Sequence, residues 1–130
     1  MTKYLGIDYG TAHIGLATSE HMLATPLPSI HNDPTIFSRL KSIISSEGIT
    51  SVVCGIPEGV LAHQVTIFAQ KLEIATGLPV ILHPETLSTK SAVTRLRESG
   101  ASLKKLKNDH VYAACLILED YLELHSSVLY

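Results

Sequence analysis

Apolar positions open this chain as two short runs separated by a turn. Tyr4-Leu5-Gly6-Ile7 reads as a strand closed by Asp8, and His13-Ile14-Gly15-Leu16-Ala17-Thr18-Ser19 reads as a second strand after a turn marked by Gly10. Ala24-Thr25-Pro26-Leu27-Pro28-Ser29-Ile30 predicts a third strand. Its two prolines donate no ladder hydrogen bond and so confine it to an edge or to irregular pairing. The period then changes. Asp33-Pro34 signals a helix start, the carboxylate capping orphan amides and the proline pre-setting the first turn, and Ile36, Phe37, Leu40, Ile43 and Ile44 recur with helical spacing up to Gly48. Thr50 to Gly55 predicts a strand; after Ile56-Pro57-Glu58-Gly59, the positions Val65, Phe68, Ala69, Leu72 and Ala75 mark a helix that stops at Gly77. Pro79 to His83 predicts the next strand. Ala92, Val93 and Leu96 mark a helix ending at Gly100, and a last helix is expected from about Asn108 to Leu124. Hairpin strands followed by strands alternating with helices predict an α/β fold: a mixed sheet with antiparallel strands at one side, parallel βαβ units at the other, and helices on both faces.

Composition narrows the class. A length of 130 residues predicts one domain over residues 1–130, able to bury roughly two thirds of its unfolded surface. With 45% hydrophobic and 17% charged residues it is an ordinary globular chain, not a disordered or fibrous one. No stretch approaches the roughly 20 apolar residues of a membrane span and no basic-then-apolar leader opens the chain, so the cytoplasm is the expected compartment. Cys54 and Cys115 sit in apolar runs without CxxC spacing and are expected to be small core residues.

A formal charge of -2 excludes indiscriminate coating of nucleic acid, but the charge is unevenly spread. Residues 90–107 hold Lys90, Arg95, Arg97, Lys104, Lys105 and Lys107 against Glu98 alone, a local charge of +5. This segment is either a solvated surface or a phosphate-binding patch.

The candidate chemistry lies in three acids. Functional groups of open α/β sheets gather at the carboxyl ends of the strands. Asp8 ends the first strand, Glu85 lies just past the last, and Asp109 stands at the start of the final helix. Asp109 alone could equally serve the positive end of that helix, with Asn108 as its N-cap. Three ionised carboxylates converging to about 4 Å would repel by roughly 4 kcal/mol per pair at an effective dielectric of 20. Such a cluster persists when cations offset it, and oxygen donors suit Mg²⁺ or Mn²⁺; the seven histidines show no tight zinc spacing. A pair of such ions is suited to phosphodiester hydrolysis.

Four motifs in order carry a resemblance. Gly-Ile-Asp-Tyr-Gly-Thr-x-x-Ile-Gly-Leu-Ala from Gly6, the strand ending Gly55-Ile56-Pro57, the run Pro79 to Leu82 followed by Glu85-Thr86-Leu87-Ser88-Thr89, and Asp109-His110-Val111-Tyr112-Ala113-Ala114 together resemble the YqgF family. Its members are RNase H-like proteins described as pre-16S rRNA nucleases or Holliday junction resolvase-like. The resemblance implies an RNase H-like fold and a metal-dependent endonuclease with Asp8, Glu85 and Asp109 as catalytic and metal-binding residues. Processing of the 5′ end of pre-16S rRNA is the expected function, and Holliday junction cleavage the alternative. Structured RNA or branched DNA is the expected partner, bound by a monomer or a homodimer.

The departures from the family pattern are specific. His13 stands where the family usually has arginine in the hairpin, and Pro84-Glu85-Thr86 where it usually reads aspartate-glutamate-arginine. The loop Glu58-Gly59-Val60 is short. His13 is therefore a candidate phosphate contact together with Arg95, Arg97, Lys104, Lys105 and Lys107, or else a hydrogen-bonded strand residue. His83 and His110 flank the acids as candidate outer-shell groups. Two rival classes remain: a nucleotide-binding domain like those of actin-like ATPases and sugar kinases, which share the opening motif, and a nucleic-acid-binding module without catalysis.

Overall fold

The computed structural model describes residues 2–84 and 109–126. The chain forms β1 (Tyr4–Tyr9), β2 (His13–Ser19), β3 (Thr25–His31), α1 (Ile36–Glu47), β4 (Ser51–Ile56), α2 (Leu61–Thr76), β5 (Val80–Pro84) and α3 (Asp109–Ser126). The expected helix before Gly100 falls outside the described residues. The five strands make one sheet in the order β3-β2-β1-β4-β5. β1 pairs antiparallel with β2 and β2 with β3, whereas β1 pairs parallel with β4 and β4 with β5. The mixed sheet predicted from the order of periodicities is thus the one that forms.

Strand alternation sorts the two faces. Leu5 and Ile7 of β1, Ile14 and Leu16 of β2, and Val52 and Cys54 of β4 point to one side, where α1 adds Ile36 and Leu40 and α2 adds Val65, Phe68 and Leu72. Ala17 and Val53 point to the other, under Ala114, Ile117, Leu118, Tyr121 and Leu122 of α3. The approach of α3 is set at Gly6. A Cβ there would come within 2.9 Å of both the Ala114 carbonyl oxygen and Leu118 Cβ, so only glycine lets the helix lie this close to β1.

The prolines act on β3 as expected. It is the edge strand, and its register slips between the pairs Ile14–Ile30 and Leu16–Leu27, where β3 carries one residue more than β2. The start of α1 is displaced from the expectation. Pro34 does not open the helix: the Asp33 carboxylate accepts from the Thr35 amide at 2.8 Å and the Asp33 carbonyl from the Ile36 amide at 3.0 Å, a turn that delays helical structure to Ile36. Gly48 and Gly77 end α1 and α2 with φ of 69° and 72°, left-handed caps read correctly from the sequence.

Candidate functional site

Asp8 occupies the carboxyl end of β1 and is 8% exposed. Its place in the alternation, two residues after Gly6, puts it on the face that α3 covers. Its partner on β2 is Gly15, and one step beyond the pair Ile7–Cys54 its neighbour on β4 is Gly55. Neither contributes a side chain beside the carboxylate. Gly55 pairs in turn with His83 of β5, so Asp8, Gly55 and His83 form one row across the sheet.

α3 runs antiparallel to β1. Tyr121 packs edge-on against Tyr4 with ring centroids 5.8 Å apart, and Ala114 and Leu118 lie over Gly6. From Gly6 to Asp8 the strand advances about 6.6 Å, and from Ala114 back to Asp109 the helix advances about 7.5 Å. The first residue of α3 is therefore carried to the level of Asp8. At the same edge β5 ends on Pro84, the residue before Glu85. Glu85, Arg95, Arg97, Lys104, Lys105 and Lys107 lie outside the described residues, and of Asp109 and His110 only the helical backbone is described. Among the described residues no three His, Cys, Asp or Glu side chains converge as a metal-ligand set.

The glycine turn between β1 and β2 is held by a residue that sequence reasoning missed. Gly10 does not take a left-handed conformation. Instead Asn32, just past β3, donates from its Nδ2 to the Gly10 carbonyl at 2.9 Å and from its backbone amide to the Ala12 carbonyl at 2.9 Å. The hairpin carrying Asp8 is thereby fixed from the far strand.

His13 is exposed at this edge, one residue before the inward-facing Ile14, and so belongs to the same face as Asp8. It pairs in register with His31, the two rings 4.7 Å apart and tilted by 43°. His83 has the opposite character. It is buried, and its Nε2 lies 2.7 Å from the Asp120 carboxylate of α3. The pairing of an imidazole with an acid 37 residues away left no local signal. Glu119, beside it, accepts from the Ala24 amide at 2.9 Å and anchors the loop before β3. Cys54 and Cys115 are buried thiols, as expected from their apolar runs. Burial, with the carboxylate of Glu119 adding to it, pushes the Cys115 thiol up from its ordinary 9.0 to about 11.

Residues 2–124 match the family model described as RuvX, Holliday junction resolvase. The chain belongs to this family. RuvX is also the family that the four sequence motifs resemble under its other name, and its members are nucleases, enzymes that hydrolyse phosphodiester bonds. A relative from an Anaeromyxobacter species, named as a pre-16S rRNA nuclease, is 38% identical, the match covering 93% of this chain and 96% of the relative. One of the same name from Rickettsia canadensis is 37% identical over 94% of this chain and 86% of its own. Among solved structures, Thermus thermophilus RuvC in complex with a Holliday junction substrate superposes with a TM-score of 0.64 at 16% identity, covering 97% of this chain and 98% of that one. Fowlpox virus resolvase gives 0.57 at 11% identity over 99% of this chain. These likenesses establish the RNase H-like fold for the RuvX chain.

Proposed function

We propose that this RuvX chain is a divalent-metal-dependent endonuclease that trims the 5′ end of pre-16S rRNA in the cytoplasm, with Asp8, Glu85 and Asp109 as its acidic centre. The observation that carries this reading is the assembly of one sheet edge: Asp8 buried at the end of β1, α3 beginning at Asp109 on the same level, and β5 delivering the chain to Glu85. The names of the relatives supply the substrate. The donor set fits Mg²⁺ or Mn²⁺. Asp8 offers oxygen, its sheet neighbours are glycines, and the nearest described imidazole in its row is already engaged by Asp120. Held by Asp8, Glu85 and Asp109, such ions would supply the activation of water and the charge stabilisation that phosphodiester hydrolysis needs.

The chain's own residues provide the remainder. Asp8 is held rigidly, because β1 is paired on both sides and the Gly10 turn is pinned by Asn32. His13, on the same face, is placed to contact a backbone phosphate, and the segment from Arg95 to Lys107 extends the grip along the strand. Among the described residues no helix is long and apolar enough to cross a membrane.

Junction cleavage is the second reading, favoured by the description of the family model. Cleavage assays with Mg²⁺ or Mn²⁺ on matched single-stranded RNA extended from a duplex, duplex RNA and a four-way DNA junction separate the two. Cutting of the RNA extension and not of the junction is expected. Preference for the junction would replace rRNA processing by the second reading, and absence of cutting on all three would leave a binding module.

A further inference from the structure

Tyr9, the residue after Asp8, faces the other side of the sheet. There it meets Phe68 of α2, the ring centroids 4.8 Å apart and tilted by 51°, and Phe37 of α1 stacks on the same Phe68 at 5.6 Å and 26°. Phe68 is buried, whereas Tyr9 and Phe37 are only half-buried. The rings back an open cavity of about 280 Å³ whose polar lining is Asn32, Gln64 and Lys71. A core that needed only packing would bring neither two amides nor a lysine to this cluster of three rings.

We infer that this cavity receives one nucleobase of the strand that the acidic site cuts, with Tyr9 and Phe37 as the stacking surface, Gln64 and Asn32 facing the base edge and Lys71 the adjoining phosphate. The inference rests on the nuclease reading and adds a base site to it. The volume suits a single base, below the size of pockets that enclose larger ligands. Flat rings accept any base by its π-face, side-chain amides offer both donors and acceptors, and an exposed ammonium meets the phosphate charge. Asn32 Nδ2 gives one of its two protons to the Gly10 carbonyl, which fixes the amide and leaves its carbonyl oxygen and second N–H to the base. The acid next to Asn32, Asp33, is occupied by Thr35 and lies 3.9 Å from Arg39. Position supports the same occupant. Asp8 and Tyr9 are consecutive on β1, their Cα atoms about 3.8 Å apart. A single strand crossing this sheet edge passes from the acidic face to the cavity within a few nucleotides, and a base seated there touches the residue that pins the hairpin of Asp8.

The test is a photocrosslink on the full-length protein. In EDTA, so that nothing is cut, the protein is irradiated with a single-stranded oligoribonucleotide carrying 5-iodouracil, and adducts are mapped by mass spectrometry. Adducts on Tyr9 or Phe37 are expected, falling at least about fivefold in Gln64→Ala/Lys71→Ala, whose two sites are exposed and leave the core untouched. Adducts confined to other residues, or an unchanged yield in the double variant, overturn the inference. In cleavage, an abasic sugar scanned past the cut should raise KM about fivefold to a hundredfold at one position, and that penalty should shrink in the double variant, which keeps the rings and loses the polar contacts. A scan in which no position exceeds about twofold also overturns it. Crosslinks at the cavity in a protein that cuts no substrate would sink the nuclease reading and leave the base site standing. Asp8-dependent cutting without those crosslinks would do the reverse.

Discussion

Replacing Asp8 by Asn removes one charge and almost nothing else, which makes it the sharpest probe of the acidic centre. Cleavage should fall to background in Asp8→Asn and in Asp109→Asn, while circular dichroism stays native and the metal-free Tm rises as repulsion is relieved. Full activity in both variants would rule out the proposed centre. Gly6 tests the approach of α3 instead. Gly6→Ala forces a methyl group against the Ala114 carbonyl and Leu118, so chemical denaturation should show a loss of about 1–3 kcal/mol. Cys115 predicts an alkaline limit. A thiol whose folded pKa is raised contributes stability that is complete below its ordinary 9.0 and lost as pH rises through about 11. Urea melts between pH 8 and pH 11 should therefore show a decline that Cys115→Ala lessens by roughly 2–3 kcal/mol, the phenol of Tyr121, also pushed up by burial, contributing to the remainder. Of these residues Asp8 was legible in the sequence, because an acid closing a buried apolar run is conspicuous. Asn32 and Asp120 were not, since each acts on a partner distant in sequence and belongs to no local pattern.

Among the elements, β3 and α3 show how far local rules reach. Two prolines in β3 were enough to foresee an edge strand with irregular pairing, and the bulge opposite Gly15 is the form that irregularity takes. The start of α3 at Asp109 was likewise readable from the Asn108-Asp109 pair, but the diagonal link from its middle to β5 was not. That link is the bond between His83 and Asp120. Asp120→Ala should destabilise the protein by about 1–3 kcal/mol by leaving a buried imidazole without its acceptor, and His83→Leu combined with it should recover part of the loss. The basic segment, outside the described residues, is tested by salt. With Lys104, Lys105 and Lys107 all replaced by Ala, the plot of log affinity against log salt should flatten by about 0.7–0.9 for each phosphate that is no longer neutralised. An unchanged slope would reduce the segment to a solvated surface.

For the whole molecule, the change from hairpin to alternating strands and helices is enough to specify the mixed sheet and both helix layers from the sequence. Strand order was beyond that pattern: hydrophobic alternation says which face a residue takes, not which strand it joins. The cavity behind Tyr9 was beyond it too, because Phe37 and Phe68 have the spacing of plain core residues and only the sheet edge shows Tyr9 joining them. One feature of the architecture bears on how the molecule is made. β1 precedes α3, the surface that covers its Asp8 face, by roughly a hundred residues in the chain, so it is translated that much earlier. Until that helix emerges, Ala17 and Val53 have no lid and the proposed acidic centre lacks Asp109. On the proposed reading, a chain translated only as far as β5 has no complete centre, and closing so long a loop, entropically costly, is the step that completes it.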